Sequence, residues 1–432
     1  MNIAFGFDIF YPETNGVITT TINLANNLIK MGHKVFFFVP KEKGFTDSVI
    51  EDGIHIVRVR NIPAWIYKGL KLFPVYGWYL MPYLIAYHID IVHNTSPWMM
   101  GNALNHAARR LHIPSIATHH TLINNPIYIK YALKLESLAN AATDAIWPVV
   151  FGPFYRLTWM ATAPNEGTCQ EIRERFPELD VRYVSNGIDI SRFETKAPVC
   201  PLPKQVDPSW LGDKTLIFVG RLGYEKAIDI AIEAFSKCVE RLPDAQFLII
   251  GQGPAEENLE RVLTYTEGRD QIHMTGMIPN EELIGSKLLS KGAAFVTASL
   301  SENQAMTVIE SLCSGLPVIA ADIDNMRAIF SEKEGWFFEG GSADALCEVM
   351  CHVLTHKEER DEKAANAVKL INRFDGRDTA KQFLSLYKEL LHKRDEGFFV
   401  PGGEKRAIKY SKKRERYLAK QQDYQDKKAQ KE

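Results

Sequence analysis

The sequence predicts an α/β protein built from two doubly wound, parallel-sheet domains. Three observations carry this. Short apolar runs alternate with amphipathic helical stretches in both halves, which is how parallel sheets covered by helices read. The chain has 432 residues, more than one core organises. A Pro-rich stretch at 195–212 separates the halves.

In the first half, residues 2–9 read as a strand. A loop with Pro12, Asn15 and Gly16 follows, then a helix over about 19–30. Further strands are expected at 35–39, 54–58, 89–93 and 115–118. The second half repeats more cleanly, with strands at 216–220, 247–251, 272–276, 294–298 and 318–321 and helices between them. The expected organisation is an N-terminal Rossmann-like domain at 1–194, a linker at 195–212 and a second Rossmann-like domain at 213–375. A helix at 376–395 (amphipathic over about 378–391) returns to the N-terminal domain, and a charged tail covers 396–432. Ligands of such sheets bind at the carboxyl ends of the strands. Two facing sheets put that site in a deep interdomain cleft.

Composition narrows the function. Hydrophobic content of 46% and charged content of 24% are globular values. A net charge of −2 gives no reason to expect nucleic acid. Residues 404–432 hold 11 Lys/Arg against 5 Asp/Glu, so this tail is +6 and the remainder −8. The six cysteines show no CxxC or zinc-ligand spacing and read as buried free thiols of a reduced cytosolic protein. The N-terminus lacks a basic flank, so no signal peptide is expected. The most apolar stretch, 72–87, is short for a spanning helix and holds Pro74 and Pro82.

Four constellations carry chemistry. Gly16, after the first strand, lets backbone N–H groups approach an anion at a helix N-terminus. The surrounding loop is not a G-x-G-x-x-G fingerprint, which argues against a nicotinamide dehydrogenase. Gly220-Arg221-Leu222-Gly223-Tyr224-Glu225-Lys226 follows a strand, so Arg221 and Lys226 project from its carboxyl end. A guanidinium fork and an ammonium point charge suit a diphosphate. In 301–310, Glu302 ends a loop and Glu310 lies about one turn into the next helix. The N–H groups of Ala305, Met306 and Thr307 then face phosphate or sugar hydroxyls. Finally, Thr118-His119-His120-Thr121 ends a strand; adjacent histidines point oppositely there, so they make a poor metal pair.

Together these residues resemble the family-4 retaining glycosyltransferases of GT-B fold, over roughly residues 1–392. Glu302 and Glu310 match the family's E-x7-E pattern, followed by Ser311-Leu312-Cys313-Ser314-Gly315-Leu316-Pro317-Val318-Ile319. Gly220, Arg221, Glu225 and Lys226 match G-R-x-x-x-E-K, and Asn186-Gly187-Ile188-Asp189 resembles N-G-I-D. The resemblance implies that Gly16 lies beside the diphosphate and His120 near the donor sugar. It implies that Arg221 and Lys226 hold the diphosphate, Glu302 contacts the sugar and Glu310 the ribose. Ala305 stands where the family often has Gly, which bears on donor identity. No DxD-like metal site is apparent, so metal independence and no cofactor are expected. Retention would proceed by same-face attack, with the leaving phosphate accepting the acceptor's proton.

Within the family, Thr118-His119-His120-Thr121 and Glu302-Asn303-Gln304 look most like bacterial diacylglycerol α-glucosyltransferases. That resemblance implies UDP-glucose as donor and a membrane lipid as acceptor. Segment 62–88 fits a membrane interface, through Trp65, Tyr67, Lys68, Lys71, Phe73 and Trp78. The basic tail adds attraction to anionic lipid. The expected location is cytoplasmic, on the inner face of the cell membrane. The alternatives are a soluble sugar or polyol transferase and a non-catalytic nucleotide-sugar binder; an epimerase of the same fold fits less well.

Overall fold

The computed structural model describes residues 1–10, 16–42, 48–63, 71–72, 77–120, 148, 151–194, 199–398, 416 and 419. The chain divides into two compact units. Among the described residues, the first holds those within 1–120, 148–187 and 376–419, and the second those within 188–375.

The first unit contains β1 (Asn2–Gly6), α1 (Gly16–Lys30), β2 (Lys34–Pro40), β3 (Ser48–Glu51), β4 (Ile54–Val59), β5 (Ile62–Pro63), β6 (Lys71–Leu72), α2 (Met81–Ala86), β7 (Ile91–Asn94), α3 (Met99–Leu111), β8 (Ser115–Thr118), α4 (Gly152–Arg156), β9 (Met160–Ala163), α5 (Glu166–Arg175) and β10 (Asp180–Tyr183). Its sheet runs β10-β9-β8-β7-β1-β2-β4-β3, and β5 and β6 form a separate ribbon. All pairings in the large sheet are parallel except β3 with β4. The run Val35-Phe36-Phe37-Phe38-Val39 is wholly buried, because a central parallel strand is covered on both faces.

The sequence extends the first strand to Ile9, but β1 ends at Gly6. A Cβ there would meet Leu104 Cδ1 at 2.4 Å, so α3 presses on the strand end. Two residues on, the buried Asp8 carboxylate accepts from Met100 N at 2.7 Å and Ser96 Oγ at 2.6 Å. It thereby serves the uncapped start of α3, and burial raises its pKa to about 6. The first helix starts at Gly16, one turn before the predicted Thr19.

The second unit contains β11 (Thr215–Val219), α6 (Ile228–Arg241), β12 (Gln246–Ile250), α7 (Glu256–Leu263), β13 (Ile272–Met274), α8 (Asn280–Gly285), β14 (Ala294–Thr297), α9 (Met306–Cys313), β15 (Val318–Ala321), α10 (Asp324–Arg327), β16 (Gly335–Phe338), α11 (Ala343–Thr355) and α12 (Lys357–Lys369). The all-parallel sheet runs β13-β12-β11-β14-β15-β16, the 3-2-1-4-5-6 order of a doubly wound domain. The Pro-rich stretch is part of this unit: Val206 is buried, and Trp210 stacks on His273 at 4.0 Å.

The last helix, α13 (Gly376–Asp395), belongs to the first unit. Ala380, Phe383, Leu386, Tyr387 and Leu390 repeat at helical spacing and enter the core of α1, β1 and β2. Tyr387 OH lies 2.7 Å from His93 Nδ1, while His93 Nε2 lies 2.6 Å from Thr118 Oγ1. Burial holds the His93 imidazole well below its ordinary pKa, so it is neutral, one nitrogen donating and one accepting. Tyr387→Phe leaves one of those nitrogens unpaired and should cost about 1–3 kcal/mol. Thermal unfolding should show a Tm lower by about 2–4 °C per kcal/mol; an unchanged Tm would mean that α13 is held by apolar packing alone.

Candidate functional site

The site in the second unit starts from backbone packing after β11. Gly220 N donates to Ile250 O at 3.0 Å, and Leu222 N donates to Gln252 O at 3.0 Å. This lays the loop after β11 along the loop after β12. Gly251 has φ +143°, and a Cβ there would come within 1.8 Å of Gly220 O. Only glycine permits that approach. Leu222, fully buried, pins the loop into the core and leaves its neighbour Arg221 at the surface. A 3-10 turn, Tyr224–Lys226, follows, and Ala227 in the left-handed region (φ 47°) joins it to α6.

Here Arg221 Nη2 donates to Glu225 Oε1 at 2.7 Å. Lys226 is ion-paired with Glu302, which comes from the loop after β14. That loop is tied down independently. Ser299 Oγ donates to Glu225 O at 3.1 Å, and Asn325 Nδ2 donates to the backbone carbonyl of Glu302. Ala305, buried, is the residue before α9 and has no side-chain group to cap it. The first N–H groups of α9, those of Met306 and Thr307 among them, lack intrahelical acceptors and carry the positive end of its dipole.

Glu310 is 8% exposed, in the second turn of α9. Its Oε1 accepts from Asn280 Nδ2 at 3.1 Å. Burial raises its pKa from the ordinary 4.5 to about 7, against the lowering effects of Asn280 and Arg192. Lys226 with Glu302 and Arg221 with Glu225 thus sit on one loop pair, and Glu310 lies eight residues beyond Glu302 on the same strand–loop–helix unit.

In the first unit, Gly16 opens α1, and residues 11–15 lie outside the described residues. His120 follows β8 and lines a cavity with Thr20, Thr21, His93, Thr95, Thr118 and Thr379 among others. Desolvation lowers its pKa to about 4, so the imidazole is neutral near pH 7 and can donate one hydrogen bond and accept another. His119 faces the other way and is buried, with Nδ1 2.5 Å from Tyr155 OH. Thr95 Oγ1 is buried and, among the described residues, has no hydrogen-bond partner. Sequence reading did not single out Thr20, Thr21, His93 or Thr95. The signal was Thr19-Thr20-Thr21 interrupting an apolar helix. It also passed over Gly251 and Gly253, a G-x-G directly after β12.

Of the residues read as membrane-facing, Trp78 is 64% exposed. Lys71 lies in β6, and Trp65, Tyr67, Lys68 and Phe73 lie outside the described residues. Tyr83 of α2 is also exposed, whereas Leu84 and Ile85 of the same helix are core. Among the described residues no helix is long and apolar enough to cross a membrane, and no three His, Cys, Asp or Glu are grouped to hold a metal ion. The cysteines are all free, but not all are buried: Cys200 is exposed and Cys351 half-buried.

Comparison with known proteins gives two family matches. Residues 14–192 match the Glycosyltransferase Family 4 model, and residues 204–370 match glycosyl transferases group 1. The chain is 28% identical to an alpha-monoglucosyldiacylglycerol synthase of Streptococcus pneumoniae, over 77% of this chain and 74% of that protein. It is 25% identical to one from Acholeplasma laidlawii, over 92% of this chain and 99% of that protein. Among solved structures, sucrose-phosphate synthase from Thermosynechococcus elongatus superposes with a TM-score of 0.73 at 19% identity, covering 90% of this chain and 99% of its own.

The Glu310 environment has a measurable consequence. With its pKa raised, the folded chain keeps a proton that the unfolded chain releases above about pH 4.5. Its contribution to stability is greatest below that pH and is lost as pH rises to about 7. Glu310→Gln keeps the shape without the titration. Urea unfolding between pH 5 and 8 should show the wild type losing on the order of 2–3 kcal/mol relative to the variant. Parallel pH curves would mean that the carboxyl is solvated.

Proposed function

The chain belongs to the glycosyltransferases that join a family 4 domain to a group 1 domain on the GT-B fold, and from that premise we propose a specific reaction. It transfers glucose from UDP-glucose to a hydroxyl of a membrane lipid such as diacylglycerol, with retention of configuration. The observation that carries this reading is the likeness, over most of the chain, to two alpha-monoglucosyldiacylglycerol synthases from different bacteria.

The chemistry follows from charge. As the bond between sugar C1 and the β-phosphate oxygen breaks, the leaving diphosphate gains negative charge. Arg221, Lys226 and the first N–H groups of α9 stabilise it, a role that needs no metal. At rest, Glu225 and Glu302 hold the two cations in place. An arriving diphosphate competes for Lys226 and frees the Glu302 carboxylate for a sugar hydroxyl. The neutral His120 imidazole hydrogen-bonds a sugar hydroxyl and does not act as a cation. The acceptor oxygen bonds to C1 on the face the leaving group departs, and its proton passes to the β-phosphate oxygen. Glu310 accepts from a ribose hydroxyl.

Exposed Trp78 and Tyr83 suit the water–lipid boundary, and Lys and Arg of the tail add about 1 kcal/mol each near an anionic surface. In this reading the protein works at the cytoplasmic face of the membrane.

Arg221→Ala and Lys226→Ala should each lower turnover by about 10²–10³ with folding intact. Near-normal kcat in both folded variants would remove the diphosphate assignment.

The reaction itself is tested with UDP-glucose and diacylglycerol in vesicles containing phosphatidylglycerol. Expected are an α-anomeric glucolipid by NMR, activity unchanged by EDTA, and sedimentation with the vesicles that weakens on deleting 404–432 and in Trp78→Ser. Transfer to a free sugar with none to lipid, and protein that stays in the supernatant at low salt, would favour the soluble-acceptor alternative.

A further inference from the structure

The Glu310 carboxyl is nine-tenths enclosed, and something must aim it and keep it ready to ionise. The structure supplies one device. Asn280, the first residue of α8, follows Pro279 at the end of the loop after β13. Its Nδ2 donates to Glu310 Oε1 at 3.1 Å. The other end of the same amide is held: Arg192 Nη1 donates to Asn280 Oδ1 at 2.8 Å, and Arg192 Nη2 donates to the Asn280 backbone carbonyl at 3.1 Å. Arg192 sits in the 3-10 turn Ile190–Phe193, directly after Asn186-Gly187-Ile188-Asp189. Three segments distant in sequence thus form one chain, guanidinium to amide to carboxyl.

We propose that Asn280, clamped by Arg192, is the positioning residue for Glu310 and sets how readily that carboxyl takes up a ribose. This rests on the reading that Glu310 contacts the ribose.

The physical case has two parts. A primary amide has two distinct ends, and a fork donating to both its oxygen and its backbone carbonyl fixes which end faces Glu310. The –NH₂ must then point at the carboxyl, where it stabilises the ionised form and favours one rotamer. Arg192 adds a positive charge behind the amide, which also favours the carboxylate. Of the charged and titratable groups, Arg192 and the Cys313 thiol of its own helix interact with Glu310. Burial and this relay oppose each other, and the result is a carboxyl poised near pH 7. A leucine or an aspartate at 280 would leave burial unopposed on that side.

The test is calorimetric titration of the full chain with UDP and with GDP from pH 5.5 to 9, using whichever wild type binds more tightly, since both carry the ribose. Wild-type affinity should fall as pH drops through about 7. Asn280→Leu should bind about tenfold more weakly at pH 7 and recover most of the loss by pH 9, its pH profile moved to higher pH. Asn280→Asp keeps the acceptor for Arg192 but puts a like charge beside Glu310, so its profile should move further. Arg192→Ala should move it in the same direction by less. Glu310→Gln should bind weakly with no such pH dependence. Wild-type profiles in both Asn280 variants, together with weak binding by Glu310→Gln, would overturn the positioning role alone. Unchanged affinity in Glu310→Gln would overturn the ribose reading itself. A uniform loss in the Asn280 variants with no shift of profile would mean that Asn280 merely supports the fold.

Discussion

The ion pair between Lys226 and Glu302 is the contact on which the rest of the second unit's site depends. The two residues are 76 positions apart, yet their strands, β11 and β14, lie side by side in parallel. Parallel neighbours put their carboxyl ends at the same edge, so each strand's following loop meets the other. The paired side chains are only 21% and 12% exposed. Charges so withdrawn from water are costly unless matched. The pair therefore ties the two loops together at one edge.

Much of the surrounding structure serves to hold that edge still. Gly251 lets the loop after β12 lie against Gly220, which fixes the backbone carrying Arg221. Ser299 and Asn325 grip backbone carbonyls of Glu225 and Glu302, so the carboxylates are aimed by hydrogen bonds away from their own heads. Electrostatic stabilisation of a leaving group is effective when its dipoles are oriented beforehand, because no reorganisation is then needed. The N-terminus of α9, following a buried Ala305, adds to the same edge the N–H groups of its first turn, which have no intrahelical acceptor.

Three carboxyl groups of this unit differ in their surroundings. Glu225 and Glu302 face cations, whereas Glu310 faces an amide and a more distant guanidinium within an apolar enclosure. The third is held by a neutral donor, and burial raises its pKa to about 7. One strand–loop–helix unit thus presents two kinds of acceptor eight residues apart.

How much of this the sequence carried depends on the range of each signal. The second sheet's first five strands were legible because runs such as Phe247-Leu248-Ile249-Ile250 are apolar throughout, as burial on both faces requires. Met160–Ala163, Asp180–Tyr183 and Gly335–Phe338 were not. The first has two alanines and little β-branching, the second is an edge strand with polar residues, and the third opens with glycine. The motifs were legible too, since G-R-x-x-x-E-K and E-x7-E are local spacings. What pairs with what was not. That Glu302 holds Lys226, that Asn280 reaches Glu310 from another loop, and that Tyr387 meets His93 across 294 positions depend on strand order and helix docking. The sequence by itself determined most of the elements, the candidate site residues and their order, because periodicity and motif spacing act over a few residues. Only the tertiary structure decided the partners and thereby the protonation states, because desolvation and hydrogen bonding are set by whatever the fold brings within about 3 Å.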